Sequence, residues 1–226
     1  MDTATMLAGE QAGATIEQVL YGVLKAGTNV IYANGASRSA VNTALSLNKQ
    51  RAATRVLAKQ KARKMTRMLA SGPQYAVQAV EAAYIAVAHT DLDSDIRKLT
   101  GFVPVAKYGQ RQPINEHEIG SVEQVRYVLS PDLAPWADAG GAKGSMVSTS
   151  GTSADVYPIL IFGQDAFAQV PLKGAEAITP MVLQPSTPRG GDPMGQRGYV
   201  SWKAWYAAVI LNDLWMCRLE VSVTAL

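Results

Sequence analysis

One stretch near the start of the chain constrains the fold more than any other, because its apolar residues recur with the period of an α-helix. Across residues 15–27 (TIEQVLYGVLKAG), they fall at every third or fourth position and share one face. Thr15 and Gln18 fit a capping box at a helix start, and Gly27 fits a helix end. Small residues upstream allow the helix to begin nearer Thr5. The pattern predicts a long helix with one buried face.

The composition is typical of a protein that buries part of its surface against partners. Only 17% of the 226 residues are charged, against a usual value of about a quarter. The net charge of +3 is too small to indicate a nucleic-acid or membrane partner by itself. The sequence shows no signal peptide and no apolar run long enough for a membrane span, and its single cysteine favours a reducing compartment.

Residues 41–69 form a segment in which every charge is positive. Eight lysines and arginines lie in its part 49–67, and no Asp or Glu interrupts them. We interpret the segment as one long helix that ends at Gly72-Pro73. The cations are spread around such a helix and no aromatic residue lies between them, which favours a solvated helix or one that faces an acidic partner subunit over direct binding of nucleic acid.

Further along the chain, short apolar runs predict strands. The segment 102–119 is expected to be irregular. Residues 139–153 are expected to form an exposed, mobile loop, and residues 185–193 a second loop. Pro158 confines the early part of its strand to a sheet edge or a strand start. The predicted strands cover residues 30–32, 84–88, 122–129, 156–162 and 178–183.

The last part of the chain has the pattern of a hairpin. Residues 199–211 are strand or helix by composition, and Asn212-Asp213 is a turn pair. Beyond it, residues 217–224 alternate between apolar and polar side chains, as expected for a half-buried strand. Cys217 lies on the apolar face, so we expect an inert core thiol.

The sequence offers no constellation for catalysis. Its two histidines, His89 and His117, have no second histidine or cysteine at metal-ligand spacing. The aspartates of residues 91–95 resemble a calcium loop but lack its glycine and its closing glutamate, so a short helix capped by Thr90 is the better interpretation. The glycine-rich segment 140–145 lacks the spacing of a phosphate loop. We therefore predict no catalytic, cofactor-binding or metal-binding residues and no enzyme activity.

Several segments together resemble one family, the major capsid proteins of tailed bacteriophages with the Hong Kong 97-type fold, and more narrowly the coat proteins of N4-like podoviruses. They follow the family's order and span nearly the whole chain. The segments are GATIE (13–17) with AGTNVIYANG (26–35); YIAVAHTD (84–91) with IR (96–97); EIGSV (118–122); DVY (155–157) with FGQDAF (162–167); and DP (192–193), QRG (196–198), WKA (202–204) and ILND (210–213).

The resemblance implies an α+β fold with a long spine helix. Residues 1–35 and 166–205 would form the peripheral domain, with its loop near residues 187–198, and residues 36–165 and 206–226 would form the axial domain. Family members carry an N-terminal arm and an extended loop before the spine helix. This chain starts at or just before the helix, so we expect it to lack both. The basic segment is longer than the family's usual helix, and the resemblance assigns it no role.

The implied function is that of a coat protein. Copies would assemble into hexamers and pentamers of an icosahedral head around double-stranded DNA, in the virion, after assembly in the bacterial host cytoplasm. Portal, scaffold and decoration proteins are the further expected partners, DNA contact would be non-specific, and no membrane is involved. Two alternatives stay open: an encapsulin-type shell that encloses protein cargo, and a DNA-binding protein that uses the basic helix 49–67.

Overall fold

The computed structural model describes residues 2–69, 77–109, 111–171, 178–186, 188 and 190–226. The chain forms two compact units. The first unit comprises Met1–Val23 and Ala168–Val209, and the second comprises Leu24–Phe167 and Ile210–Leu226. The helices are α1 (Asp2–Leu24), α2 (Leu47–Lys59) and α3 (Asp93–Arg97). The strands are β1 (Val30–Tyr32), β2 (Met65–Leu69), β3 (Val77–Ala88), β4 (Phe102–Pro104), β5 (Glu118–Val122), β6 (Val125–Leu129), β7 (Tyr157–Phe162), β8 (Phe167–Pro171), β9 (Ile178–Leu183), β10 (Tyr199–Ala204), β11 (Tyr206–Ile210) and β12 (Met216–Val221).

The second unit is built on one eight-stranded mixed sheet. Its order is β1-β12-β7-β3-β6-β5-β4, and β2 pairs with residues 77–83 of β3. The β1–β12 and β3–β6 pairs are parallel, and the other pairs are antiparallel. Pro158 is the second residue of β7, where it pairs only with β12, so its missing N–H leaves no bond unmade on the β3 side. The prediction of a strand start at this proline is confirmed.

Helix α2 covers part of this sheet. It contacts β12 and β7, and it buries Ala53 and Leu57 completely. Full burial of a leucine side chain contributes roughly 1.5–3 kcal/mol. Gln50 is also fully buried, and its amide is satisfied on both sides: it donates to the Val122 carbonyl at 2.9 Å and accepts from the Tyr127 hydroxyl at 2.8 Å. This polar bridge fixes the helix against β5 and β6.

The prediction of one long helix over residues 41–69 is wrong. Helix α2 covers only Leu47–Lys59, and the chain then turns and enters strand β2. Lys61 adopts a positive φ of 57°, which a right-handed helix cannot contain. The sequence has neither Gly nor Pro at this point, so nothing local marked the end, and pairing with β3 decides it. The continuous basic helix over 49–67, on which the alternative of a DNA-binding protein relied, is therefore not formed.

Helix α1 is longer than its apolar pattern showed. It begins at Asp2, and Thr15 lies in its middle, where the hydroxyl donates to the Gln11 carbonyl at 2.8 Å. The predicted capping box at Thr15 is therefore wrong, because no free N–H group is left there to cap. The predicted end is confirmed, since the Gly27 amide donates to the Leu24 carbonyl. None of the described helices is long and apolar enough to cross a membrane.

The predicted C-terminal hairpin is also wrong. Strand β11 pairs with β8 in a separate two-stranded sheet, while β12 runs between β1 and β7 in the large sheet. All six residues of β12 are buried, including the polar ones, so it is not the half-buried strand that its alternation indicated. The segment 122–129, predicted as one strand, is interrupted at its start: β5 ends at Val122, and a turn at Glu123 leads into β6.

The remaining predicted strands, 30–32, 84–88, 156–162 and 178–183, are confirmed within one residue or as parts of longer strands. The segment 139–153 is irregular, as expected, and hydrogen bonds hold it at many points. Gly140 and Gly141 bond to Ala154 and Val41. A Cβ on Gly140 would lie 2.3 Å from the Val41 carbonyl oxygen, so this close backbone approach requires glycine.

In the first unit, the described strands form two small sheets, of which the β9–β10 sheet is antiparallel. One consists of β9 and β10, with Tyr199 opposite Leu183 and Ala204 opposite Ile178. The other consists of β8 and β11. No residue of β10 or β11 is buried, since exposed and half-buried side chains alternate along both strands.

Candidate functional site

The two histidines have separate neighbours. His89 caps a short 3₁₀ turn over Thr90–Leu92, where its Nδ1 accepts from the Asp91 amide at 3.1 Å, so the cap is His89 and not the predicted Thr90. His117 is exposed and lies 3.4 Å from Glu116, at the edge of an open cavity of about 660 Å³. In the described ranges, no group of three His, Cys, Asp or Glu side chains could hold a metal ion.

Each aspartate of the segment that resembles a calcium loop has its own partner. Asp91 accepts from the Tyr157 hydroxyl at 2.8 Å, and Asp93 binds Arg97 one helical turn later at 2.8 Å. Asp95 is buried and accepts from the Thr224 amide and from Lys98. Burial, with the Asp91 carboxylate next in effect, raises the pKa of the Tyr157 hydroxyl. The carboxylates therefore fix α3 and the chain end rather than converge on an ion.

A buried ion network joins the end of α1 to the sheet. Glu220 on β12 is fully buried and accepts from Arg38 twice, at 2.8 Å each, and from Arg218 at 2.9 Å. Arg218 also donates to the carbonyls of Lys25 and Gly27, just beyond the last turn of the helix. One carboxylate thus holds two guanidinium groups, and one of these groups holds the backbone that leaves α1.

Trp136 completes this network with its aromatic face. The guanidinium of Arg38 lies 3.6 Å from the ring centroid, and the Lys25 ammonium lies 4.7 Å from it. Burial, then the charges of Arg38 and Arg218, lowers the pKa of Lys25. The sequence did not predict this site. The available signal was the opposite charge of Arg218 and Glu220, two residues apart on one face of a strand.

A second buried pair lies on the hairpin of β5 and β6. Arg126 donates to Glu118 at 2.7 Å, and the Tyr108 hydroxyl donates to the same carboxylate at 2.6 Å. Burial, followed by the hydrogen bond to Glu118, raises the pKa of Tyr108 to about 12. Because all three side chains are buried and both donors bond the Glu118 carboxylate, they fix the connection before β5.

Cys217 fulfils the expectation of a core thiol. It is completely buried in β12, and burial raises its pKa to about 12. A thiol in this environment stays protonated near neutral pH and is a poor nucleophile.

The eight cations of the basic segment have two kinds of surroundings. Lys49 donates to the Tyr32 carbonyl at 2.9 Å, and Arg51 binds Glu123 on the turn between β5 and β6. The six others have no carboxylate partner among the described residues. Five of these are exposed, and Lys64 lies 5.9 Å from the ring of Tyr84. The six are Arg55, Lys59, Lys61, Arg63, Lys64 and Arg67.

Large apolar side chains are exposed mainly in the first unit. We call the ten of them the apolar surface, and each is at least 41% exposed. Single exposed hydrophobic residues are normal, but this many on a small unit are typical of a surface that other molecules cover. They are Met6, Leu7, Val19, Val170, Met181, Val182, Met194, Tyr199, Trp205 and Val209.

The fold and this surface together define an α+β protein that turns many apolar side chains outward on one of its two units. The chain belongs to the phage capsid protein family, whose model matches residues 1–219. It is similar to the major capsid protein of Pseudomonas phage KPP21, with 22% identity over 127 residues, which are 53% of this chain and 32% of that protein. The chain thus spans about a third of that relative.

Solved structures that resemble the chain in fold are also phage capsids. A chain of the capsid of the cyanophage P-SCSP1u gives a TM-score of 0.55 at 13% identity, over 99% of this chain and 66% of that one. The capsid of Ralstonia phage GP4 gives 0.54 at 16% identity, over 87% and 53%. These likenesses show the α+β capsid fold, and the encapsulin-type alternative is not favoured by any of them.

Proposed function

We propose that the chain is a major capsid protein that assembles with copies of itself into the icosahedral head of a tailed phage, as hexamers and pentamers that enclose double-stranded DNA. Its role is structural and not catalytic. Assembly takes place in the bacterial host cytoplasm, and the product is part of the virion. Scaffold, portal and decoration proteins are the proposed further partners.

The observation that carries this proposal is the apolar surface of the first unit. A shell subunit must bury such side chains against its neighbours, because the free energy of assembly comes largely from removing apolar area from water. The low charge content of 17% is consistent with extensive interfaces. Membership of the phage capsid protein family supports assembly into a shell.

We further propose that the fold is of the Hong Kong 97 type. Helix α1 would be the spine helix, and the first unit, with β8 to β11, would correspond to the peripheral domain. The second unit, with the eight-stranded sheet, would correspond to the axial domain. The support is the order of elements: a long helix first, then a sheet domain, then a return of the chain into the first unit.

The test is assembly of the purified chain, followed by light scattering after gel filtration and by negative-stain electron microscopy. We expect rings or closed particles for the unaltered protein. Met181 lies on β9 and is 59% exposed, so Met181→Asp would place a charge in the interface and prevent assembly, whereas Met181→Leu would preserve it. A chain that stays monomeric at high concentration, or a Met181→Asp variant that assembles normally, would contradict the proposal.

A further inference from the structure

The charges of this chain are divided unevenly along it. Residues 18–80 contain ten of the 21 lysines and arginines and none of the 18 aspartates and glutamates. The net charge of +3 therefore conceals a positive segment and a remainder that is net negative. The structure shows how the positive segment is used in the second unit: its cations divide into those that bind carboxylates or carbonyls and those that do not.

The unpaired cations are concentrated in one short stretch. Of the ten arginines at described positions, six bind a carboxylate within the chain, and three of the four that do not are Arg55, Arg63 and Arg67. With Lys59, Lys61 and Lys64, they form what we call the basic surface. It covers the last turns of α2, the turn after it, and β2.

The backbone under the basic surface is held in place from three sides. The Gln60 carbonyl accepts from the Trp215 indole at 3.0 Å, the Ala62 carbonyl from the Tyr84 hydroxyl at 3.2 Å, and the Arg63 carbonyl from the Gln164 amide at 2.8 Å. Three elements thus fix a turn that contains the left-handed residue Lys61. The fold presents these cations from a rigid base and leaves their charges unsatisfied.

We propose that the basic surface binds the phosphate backbone of double-stranded DNA on the inside of the shell. This inference rests on the proposed coat-protein function, which it deepens by naming the contact surface. Neighbouring cations on the helix are about 6 Å apart along its axis, and Arg63 and Arg67 are about 13 Å apart along an extended chain. Cations at such spacings can contact several phosphates of one duplex, and contacts of this kind supply most of the affinity of sequence-independent binding.

Two other occupants fit the observations less well. A protein partner would need an apolar centre in its interface, but the exposed side chains over residues 55–67 are cations, Ala58 and Thr66. A second copy is a weaker match, because six of its acidic side chains, Glu81, Asp93, Asp95, Glu118, Glu123 and Glu220, already bind cations of their own chain. The exposed Glu10 and Asp165 bind none among the described residues, so the self-association of the variants tests this occupant directly. No aromatic side chain is exposed there, so stacking on single-stranded bases is not supported either.

The experiment measures binding of a 30-bp duplex of mixed sequence by fluorescence anisotropy across a range of salt concentrations. We compare the unaltered chain with the triple variant Arg55→Gln, Arg63→Gln, Arg67→Gln. The matched control is Lys107→Gln, Lys143→Gln, Arg197→Gln, which removes the same charge from side chains that have no carboxylate partner in the described part of the chain. Circular dichroism confirms that each variant is folded.

We expect the triple variant to bind at least tenfold more weakly at 0.1 M salt, and its log–log salt slope to fall by about 3, whereas the control changes little. Equal losses in the two variants, or binding that does not depend on salt, would overturn the inference. Tighter binding of polyglutamate than of DNA would overturn it in favour of an acidic protein partner. Loss of self-association in the triple variant alone would overturn it in favour of a second copy.

Electron microscopy of the same samples keeps the two proposals separate. If the triple variant forms particles but binds DNA more weakly, the coat-protein proposal and the inference about DNA are both supported. Absence of particles from every sample would contradict the coat-protein proposal, while the comparison of salt slopes, measured on the unassembled chain, would still decide the inference about DNA.

Discussion

The two units of the chain differ in how far their side chains are buried. In the second unit, β7 and β12 are buried along their whole length, and even the charged residues Arg218 and Glu220 find partners inside the unit. In the first unit, β10 and β11 have no buried residue, and ten large apolar side chains face outward. The contrast indicates that the second unit is stabilised from within, and that the first unit depends on contacts with other molecules.

Substitutions in the two units should therefore affect different properties, the free energy of unfolding in one case and self-association in the other. Substitutions in the second unit should change the free energy of unfolding, because they disturb a close-packed interior. Substitutions on the apolar surface should leave that free energy nearly unchanged and act on self-association. The following predictions, in order of decreasing effect, test whether this division is correct.

Removal of the buried carboxylate in Glu220→Gln should have the largest effect. The change leaves the guanidinium groups of Arg38 and Arg218 without their anion, and loss of one partner of a buried pair costs about 3 kcal/mol or more. Unfolding in urea, followed by circular dichroism, measures the loss. The control is Glu123→Gln, which breaks the exposed pair with Arg51 and should barely move the midpoint. Equal shifts in the two variants would argue against a buried network.

Replacing a large apolar side chain by alanine should have a different effect in each unit. Ile161→Ala, in the centre of β7, should lower the free energy of unfolding by about 2–5 kcal/mol, because it opens a cavity in the core. Val209→Ala on β11 lies on the apolar surface and should change it by less than about 0.5 kcal/mol. A large effect of Val209→Ala on the unfolding of the monomer would show that the first unit is also stabilised from within.

The Cys217 thiol gives a chemical measure of the interior of the second unit. Because burial raises its pKa to about 12, a thiol reagent at pH 8 should react only after unfolding. The unfolded chain loses this proton near the ordinary value of 9.0, so the thiol's contribution to stability is complete below pH 9 and declines as the pH rises towards 12. Rapid labelling of the folded protein at pH 8 would contradict the buried position.

The smallest effects come from two tyrosine hydroxyls. In the second unit, the Tyr127 hydroxyl donates to the buried Gln50, so Tyr127→Phe should destabilise by roughly 1–2 kcal/mol. In the first unit, the buried Tyr206 hydroxyl has no partner among the described residues, so Tyr206→Phe should be neutral or slightly stabilising. Thermal unfolding of the two variants side by side measures the difference, and a larger loss from Tyr206→Phe would reverse the comparison.

The sequence predicted elements whose signal lies within a few neighbouring residues. The spacing of apolar residues indicated helix α1, and compact apolar runs indicated β1, β7 and β9. The short helix over Asp93–Arg97 was expected from its acidic first turn and its arginine in the last turn. The sequence also predicted a buried, inert Cys217, because the alternation of apolar and polar residues over 217–224 placed this residue on the apolar face.

The errors share one physical cause, which is pairing between distant parts of the chain. The end of α2 at Lys59 depends on β2, whose pairing with β3 outweighs a helical tendency that no Gly or Pro opposes. The predicted hairpin of β11 and β12 fails because each strand has a better partner elsewhere, β8 for one and β7 for the other. Adjacent strands often pair, but no local residue requires it.

The sequence by itself determined where acidic residues are absent, the local signals for α1, β1, β7 and β9, and the order of segments that resembles a phage coat protein. The tertiary structure alone decided which charges are buried and which are left free. Glu220 holds Arg38 and Arg218 only because β12 is enclosed by β1 and β7, whereas Arg63 has no carboxylate partner among the residues that the structure describes. Electrostatic pairing depends on distance in space, and residues far apart in the chain set that distance.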